Sequence, residues 1–204
     1  MKRLATAQVG DVVELPPPAT TGPTSVEQAI GQRRSCRRYQ PDPLTLEAVS
    51  QLLWAAQGIT HGPGLRAAPS AGACYPLEVY LVCHEGVFRF VPANHAVIKA
   101  ADGDRRQQLA RAAGGQGFVA DAPVVIAFAA IYDRTTRRYG ERGFRYVYMD
   151  AGITAENVHL QGEAVGLGSV SVGAFHDDAV AKALDLPDGE SPVYLIPLGR
   201  AGGG

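Results

Sequence analysis

The stretch Ala122-Pro123-Val124-Val125-Ile126-Ala127-Phe128-Ala129-Ala130-Ile131-Tyr132 runs for eleven residues without a charge. A helix that crosses a bilayer needs about 20 apolar residues, so this run is too short to span one, and Pro123 lies inside it. From Val124 onward it is uninterrupted, as expected of a strand buried on both faces. Such a strand needs a full core around it. At 204 residues and 46% hydrophobic content the chain can supply one, because a domain of roughly 200 residues buries on the order of 70% of its unfolded surface without disulfide or metal staples. Disorder and a mini-protein scaffold are thereby excluded.

The rest of the chain supplies helices and strands in mixed order. Ser25 is an N-cap with Gln28 in capping-box position, opening a helix through Val26, Ala29 and Ile30 to about Arg34. Tyr39-Gln40-Pro41-Asp42-Pro43 breaks the chain, and Thr45 caps a second helix whose Leu46, Val49, Leu52, Leu53 and Ala56 recur at helical spacing up to Gly58. Residues 59–73 hold five Gly or Pro and form a loop. Leu77–Cys83 and Val87–Val91 flank His84-Glu85-Gly86 as a strand hairpin. A short helix over Asp104–Ala113 precedes the apolar run. After it come a long helix over Phe144–Gly166, a short strand Ser169–Val172, a helix Asp177–Leu184 and a last strand Val193–Leu198. Gly152 and Gly162 inside the long helix each cost about 1 kcal/mol relative to Ala, which calls for close helix approach as compensation. The antiparallel hairpin within this order makes the class α+β rather than doubly wound. Residues 1–24, with Leu15-Pro16-Pro17-Pro18, read as an N-terminal arm, residues 25–200 as one domain, and 201–204 as a flexible tail.

The formal net charge is −1, which argues against a dedicated nucleic-acid or anionic-membrane binder. The total conceals a bias: 16 Arg stand against 3 Lys, and four of those Arg fall within Arg33–Arg38. Guanidinium forks match phosphate oxygens bidentately, so Arg33-Arg34-Ser35-Cys36-Arg37-Arg38 can serve as a phosphate clamp. The same cations can instead complement the dipole at the C-terminus of the first helix. The first residues lack the apolar run of a signal peptide. Three cysteines, Cys36, Cys74 and Cys83, are an odd number suited to reduced thiols, and the expected compartment is the cytoplasm.

Two small-residue segments can approach a flat ligand closely. Ala68-Pro69-Ser70-Ala71-Gly72-Ala73-Cys74-Tyr75-Pro76 offers backbone and a hydroxyl, and Gly166-Leu167-Gly168-Ser169-Val170-Ser171-Val172-Gly173-Ala174-Phe175 offers turn N–H groups that can point at an acceptor. Each is also what an ordinary connection looks like. Cys and His spacing matches no zinc module, so no metal is expected. Gly114-Gly115-Gln116-Gly117 fits neither a Rossmann turn nor a P-loop, and there is no Gly-x-Ser-x-Gly elbow.

Order and spacing say more than any single segment. Ser25-Val26-Glu27-Gln28-Ala29-Ile30 leads into Arg33-Arg34-Ser35-Cys36-Arg37. There follow Leu52-Leu53-Trp54-Ala55-Ala56-Gln57-Gly58-Ile59-Thr60, Ala68 to Ala73 with Tyr75-Pro76-Leu77-Glu78-Val79-Tyr80, Gly166-Leu167-Gly168 through Phe175, and Pro197-Leu198-Gly199. In this arrangement, from about Leu15 to Arg200, the chain resembles the FMN-dependent nitroreductase superfamily and within it the SagB-type dehydrogenase branch, which includes azoline oxidases. The resemblance implies an α+β sandwich with a central, mostly antiparallel sheet flanked by helices, dimerising through long helices with two FMN sites at the interface.

It further implies that Arg33, Arg34, Ser35 and Arg37 hold the FMN phosphate and ribityl chain. Pro69, Ser70, Ala71, Gly72 and Ala73 would come from the other subunit to line the ring, and Val172, Gly173 and Ala174 would present N–H groups near flavin N5. Gln116 would meet the pyrimidine edge, and Arg200 would reach the phosphate. The implied activity is transfer of a hydride or electron pair between a donor such as NAD(P)H and a small-molecule or peptide-derived substrate, with the cofactor carrying the chemistry. A non-catalytic flavin-binding module is the alternative. Two departures stand out: Ala73 replaces an Asn common in nitroreductases, and Arg138-Tyr139 replaces the Lys-Tyr pair of azoline oxidases. Arg stays protonated where a buried Lys can act as a base, so Tyr139 is left as the candidate proton-handling residue.

Overall fold

The apolar run lies at the centre of the sheet. In the computed structural model, which describes residues 1–202, the strands are β1 (Val12–Glu14), β2 (Ile59–His61), β3 (Leu65–Arg66), β4 (Leu77–Cys83), β5 (Gly86–Val91), β6 (Ala96–Asp102), β7 (Val124–Ala130), β8 (Gly168–Ser169) and β9 (Ser191–Gly199). The helices are α1 (Lys2–Ala5), α2 (Val26–Gln32), α3 (Leu46–Gln57), α4 (Arg106–Ala112), α5 (Gly117–Asp121), α6 (Asp133–Tyr139), α7 (Arg142–Ala164) and α8 (Asp177–Leu184). Seven strands form one sheet in the order β1-β6-β5-β4-β7-β9-β8, and each neighbouring pair is antiparallel. The α+β sandwich expected from the sequence is the fold observed.

Every residue of β7 is buried, and its alternation divides the core into two layers. Val124, Ile126 and Phe128 pack with Leu52 and Leu53 of α3 and Val158 of α7. Val125, Ala127 and Ala129 face the other way, against Leu109 of α4 and Val180 and Leu184 of α8. Helices on both faces are what allow an uninterrupted apolar strand, and each large side chain so buried contributes about 1.5–3 kcal/mol.

Helix starts follow their caps. Ser25 Oγ accepts from Gln28 N–H at 3.2 Å while Gln28 Oε1 accepts from Ser25 N–H at 2.9 Å, and Thr45 Oγ1 accepts from Ala48 N–H at 3.1 Å. Several elements depart from the sequence expectation: β2 and β3 form within the stretch read as a loop, β8 is Gly168–Ser169 rather than Ser169–Val172, and β1, β6, α5 and α6 carry no expectation at all. Strand β6 has Lys99 in its middle, which masks its apolar pattern. That lysine is buried, and its Nζ donates to the Ala7 carbonyl at 2.8 Å and pairs with Asp102 at 2.7 Å. The N-terminal segment, expected as an arm, packs on the domain: Lys99 holds the Ala7 carbonyl two residues beyond α1, β1 pairs with β6, and Leu4, Val13 and Leu15 enter the core. At the other end Ala201 bridges to Tyr39 and Gly202 N–H donates to the Arg38 carbonyl at 2.9 Å; Gly203 and Gly204 of the expected tail lie outside the described residues.

Helix α7 has 23 residues and is about 35 Å long. Its two internal glycines differ in kind. A Cβ on Gly162 would sit 3.5–3.9 Å from Leu167, Leu198 and Leu52, inside the subunit's own packing, whereas one on Gly152 would meet nothing within 4 Å. Around Gly152 the helix exposes Phe144, Tyr148, Met149 and Ile153 at 42–58%. Tyr132 covers part of this stripe, its ring centroid 5.1 Å from that of Phe144 and 6.0 Å from that of Tyr148, and its hydroxyl donates to the Tyr148 hydroxyl at 3.1 Å; Met149 and Ile153 stay exposed. Among the described residues no helix is long and apolar enough to cross a membrane.

Candidate functional site

The first candidate cluster forms where α2 ends. Arg33 caps the helix through its N–H to the Ala29 carbonyl, and its Nε lies 3.9 Å from Glu156 of α7. Arg34 turns back, its Nη1 donating to the carbonyls of Gly31 at 3.2 Å and Arg33 at 2.7 Å. For this residue the helix-end role described above is therefore realised. Ser35 bridges to Ser169 of β8, and Cys36 N–H donates to the Ser169 carbonyl at 2.9 Å. A Cβ at Gly168 would lie 2.6 Å from Cys36 Cβ, so only glycine lets the arginine segment lie this close to β8. Arg37 is exposed, with its guanidinium 5.7 Å from the Phe118 ring centroid on α5.

Phe118 leads to the other members. Gln116 Nε2 donates to the Ala113 carbonyl at 2.8 Å and reaches the Ala174 carbonyl at 3.5 Å, while His176 N–H ties the turn to Ala112 at 2.9 Å. Of the three amides expected to face a ligand, that of Val172 is already committed to the Leu195 carbonyl at 2.8 Å. Gly173 and Ala174 are exposed, and among the described residues their N–H groups have no partner. Arg200 joins through its backbone, its carbonyl accepting from Gln40 N–H at 2.9 Å. Arg37 and the 173–174 turn thus both adjoin the start of α5, through Phe118 and Gln116.

A residue without a sequence signal, His159 of α7, packs against the same segments. It is 7% exposed, with Nδ1 2.7 Å from Ser169 Oγ and Nε2 2.7 Å from Ser171 Oγ. It thereby couples the strand beside Cys36 to the turn at Gly173. Burial lowers its pKa, Glu156 opposes this, and Arg33 adds to it. The unfolded chain takes up a proton near pH 6.5 while folded His159 resists to lower pH, so stability falls as the solution is acidified. Between pH 7.5 and 5.5 His159 is expected to contribute a slope of at most about 1.4 kcal/mol per pH unit. His95, also lowered by burial, acts in the same direction; Asp150 and Glu190, raised by burial, act oppositely nearer the carboxylate range. Thermal unfolding of His159→Gln should show a flatter pH dependence than the native chain, and equal slopes would dismiss the assignment.

The second cluster is the 69–76 loop. It contains left-handed backbone at Gly72 (φ +61), Ala73 (φ +53) and Tyr75 (φ +47), which for non-glycine residues costs roughly 1–2 kcal/mol each. Side chains hold it in place. Ser70 Oγ accepts from Tyr75 N–H at 2.9 Å, Arg138 Nη1 donates to the Gly72 carbonyl at 3.1 Å, and Arg134 Nη1 donates to the Tyr75 carbonyl at 3.0 Å. Gly72 is required for a second reason: a Cβ there would lie 2.6 Å from the Tyr139 hydroxyl. Asp150 of α7, 6% exposed, lies beside the Ser70 hydroxyl and the Ala71 N–H, and burial raises its pKa while those two groups pull it down. Among the described residues its Oδ2 has no hydrogen-bond partner. Sequence inspection missed Asp150, although an acid on the mostly small and apolar side of a helix is a visible signal.

Both clusters hang from α7, at Asp150 and at His159, nine residues or about 13 Å apart along the axis. Among the described residues no hydrogen bond or ion pair joins the 69–73 loop to the Arg33–Arg37 segment or to the 173–174 turn.

The Nitroreductase family profile matches residues 30–200. The chain belongs to the nitroreductase family. A protein of Methanocaldococcus jannaschii that carries the name nitroreductase is 43% identical over 198 residues, covering 94% of this chain and 98% of that one. The FMN reductase [NAD(P)H] of Bacillus subtilis is 25% identical over 187 residues, 85% of this chain but 62% of its own length. Among solved structures, a Ralstonia eutropha JMP134 protein described as a nitroreductase superposes with a TM-score of 0.88 at 29% identity, covering 98% of this chain and 94% of that one. Nitroreductase-family membership thus spans both clusters, from the arginine segment to β9.

Proposed function

We propose that this chain is a homodimeric FMN-dependent oxidoreductase, allied to the SagB-type dehydrogenases, that moves a hydride or electron pair between a donor such as NAD(P)H and a small-molecule or peptide-derived substrate. The observation that carries the proposal is the division of the site: two clusters with ligand-facing groups, set apart on α7, with an exposed apolar stripe beside them. A second copy packed along Phe144, Tyr148, Met149, Gly152 and Ile153 would bring one chain's 69–73 loop to the other's arginine segment. The first cluster fits a flavin mononucleotide chemically. Arg33 and Arg37 keep guanidinium donors for a phosphate, Ser35 adds a hydroxyl, and the N–H groups of Gly173 and Ala174 are free to receive an acceptor atom. Gln116 stands next to that turn.

FMN, when bound, supplies the two-electron chemistry. The chain's part is to orient and to exclude water. Pro69, Ser70, Ala71, Gly72 and Ala73 offer a small-residue wall whose backbone is held by Ser70, Arg134 and Arg138. Arg200 adds positive charge beside the clamp. Tyr139, whose hydroxyl lies over Gly72, is the proton-bearing group at the loop; with Arg138 permanently charged beside it, Tyr139 donates or accepts a proton at the substrate without a lysine base. The kinship of the relatives named as reductases supports a nicotinamide donor.

The purified protein is expected to be yellow, with oxidised-flavin absorbance that NADPH or NADH bleaches under anaerobic conditions. Colourless protein that also fails to take up added FMN would overturn the proposal. Uptake without turnover across NADH, NADPH, nitroaromatics and quinones would favour a flavin-binding module instead.

A further inference from the structure

Behind the 69–76 loop, on the side of β4 and β5, lies a cavity of about 320 Å³ into which three arginines converge, Arg66, Arg89 and Arg134. One carboxylate answers them. Glu78 Oε1 lies 2.7 Å from Arg134 Nη2, and its Oε2 lies 3.4 Å from Arg89 Nη1. Among the described residues Arg66 has no carboxylate partner: its Nη1 donates to Gln57 Oε1 at 2.9 Å and its guanidinium lies 4.6 Å from the Tyr75 ring centroid. Glu190, the further acid in this region, does not line the cavity and accepts the Tyr80 hydroxyl at 2.7 Å. The lining therefore carries three cations against one anion. Burial lowers the pKa of Arg66, and the charge of Arg134 works in the same direction against the opposing effect of Glu78. The same arginines position the loop, since Arg134 holds the Tyr75 carbonyl and Arg66 N–H donates to the Tyr75 hydroxyl at 3.3 Å.

We infer that this cavity is a binding site for a doubly charged oxyanion of the phosphomonoester class, gripped by Arg66, Arg89 and Arg134. A dianion matches the two uncompensated charges of the lining, whereas a monocarboxylate would leave one unmatched and repeat what Glu78 already does. Guanidinium forks suit phosphate oxygens, and the loop beside the cavity joins this site to the 69–73 wall. The assignment rests on the cavity alone and holds whether or not the flavin proposal does.

Isothermal titration of inorganic phosphate into the protein, with and without excess FMN, at constant ionic strength in chloride, tests it. Saturable binding at one phosphate per chain is expected, weakened at least tenfold in Arg89→Gln, partly restored in Arg89→Lys and unchanged in Arg37→Ala. Arg89 is suited to this test because its side chain is 40% exposed and its one ion pair is long; an unchanged circular dichroism spectrum and flavin content confirm the fold. Absence of saturable binding, or equal binding in the native chain and Arg89→Gln, overturns the inference. So does binding that disappears in Arg37→Ala and survives in Arg89→Gln, which would belong to the arginine segment after α2. Two sources of the dianion are then separated by nucleotide binding: a 2′-phosphate source predicts that Arg89→Gln weakens NADPH and spares NADH, and a separate phosphorylated substrate predicts that it spares both.

Discussion

Replacing Arg33 or Arg37 with alanine is expected to weaken FMN retention by roughly 10- to 100-fold, because each change removes a charge-assisted phosphate contact worth about 1.5–3 kcal/mol. The two positions differ in what they leave behind. Arg33 is half-buried and weakly engaged with Glu156 at 3.9 Å, so its loss also frees that acid to repel a phosphate. Arg37 is exposed, with its guanidinium 5.7 Å from the Phe118 ring centroid and no ion pair among the described residues, so its loss frees no acid. Arg34→Ala should have the smallest effect of the three, since its guanidinium is spent on the carbonyls of Gly31 and Arg33. Quenching of flavin fluorescence during titration of FMN into apoprotein measures all three. Unchanged affinity in both Arg33→Ala and Arg37→Ala would remove the arginine segment from the flavin site.

On the proposed pairing of two copies along α7, Ile153→Glu is expected to leave the chain monomeric and to release the flavin with it. A twofold interface presents the same patch twice, so one substitution is felt at two places. Burying a large apolar side chain contributes about 1.5–3 kcal/mol, and losing two such contacts raises the dimer dissociation constant by roughly 10²- to 10⁴-fold. Ile153 is 42% exposed within the subunit and Gly152 beside it meets nothing, so the subunit's own fold should survive. Light scattering and flavin absorbance on the same sample give the answer. A variant that stays dimeric and fully yellow would show that this stripe is not the face the two copies share.

Much of the architecture was legible in the sequence because the signals were local. The capping residues Ser25 and Thr45 start helices where expected, and the β4–β5 hairpin and the doubly buried β7 follow from their apolar patterns. Strand β6 was hidden because one buried cation, Lys99, interrupts an apolar run, and its partner carbonyl on Ala7 is 92 residues away. The N-terminal segment was misjudged for the same reason: proline content marked it as an arm, while its packing depends on β6.

The site divides along the same line. Residue types alone left the arginine segment and the two small-residue segments open between ligand contacts and an ordinary helix end or connection; it was their order along the chain, through the resemblance to nitroreductases, that singled out the 69–73 loop and the 172–174 turn. Only the tertiary structure decided which of these groups are free to act. Val172 N–H is consumed by β9 and Arg34 by its own helix, while Gly173, Ala174 and Arg37 remain available. It alone revealed that His159 and Asp150 support the two clusters from one helix, and that Arg66, Arg89 and Arg134, scattered over 68 positions of sequence, surround one cavity. Composition fixes how many donors and charges a chain owns; whether each is already satisfied is a property of contacts between distant segments, and those exist only once the sheet has assembled.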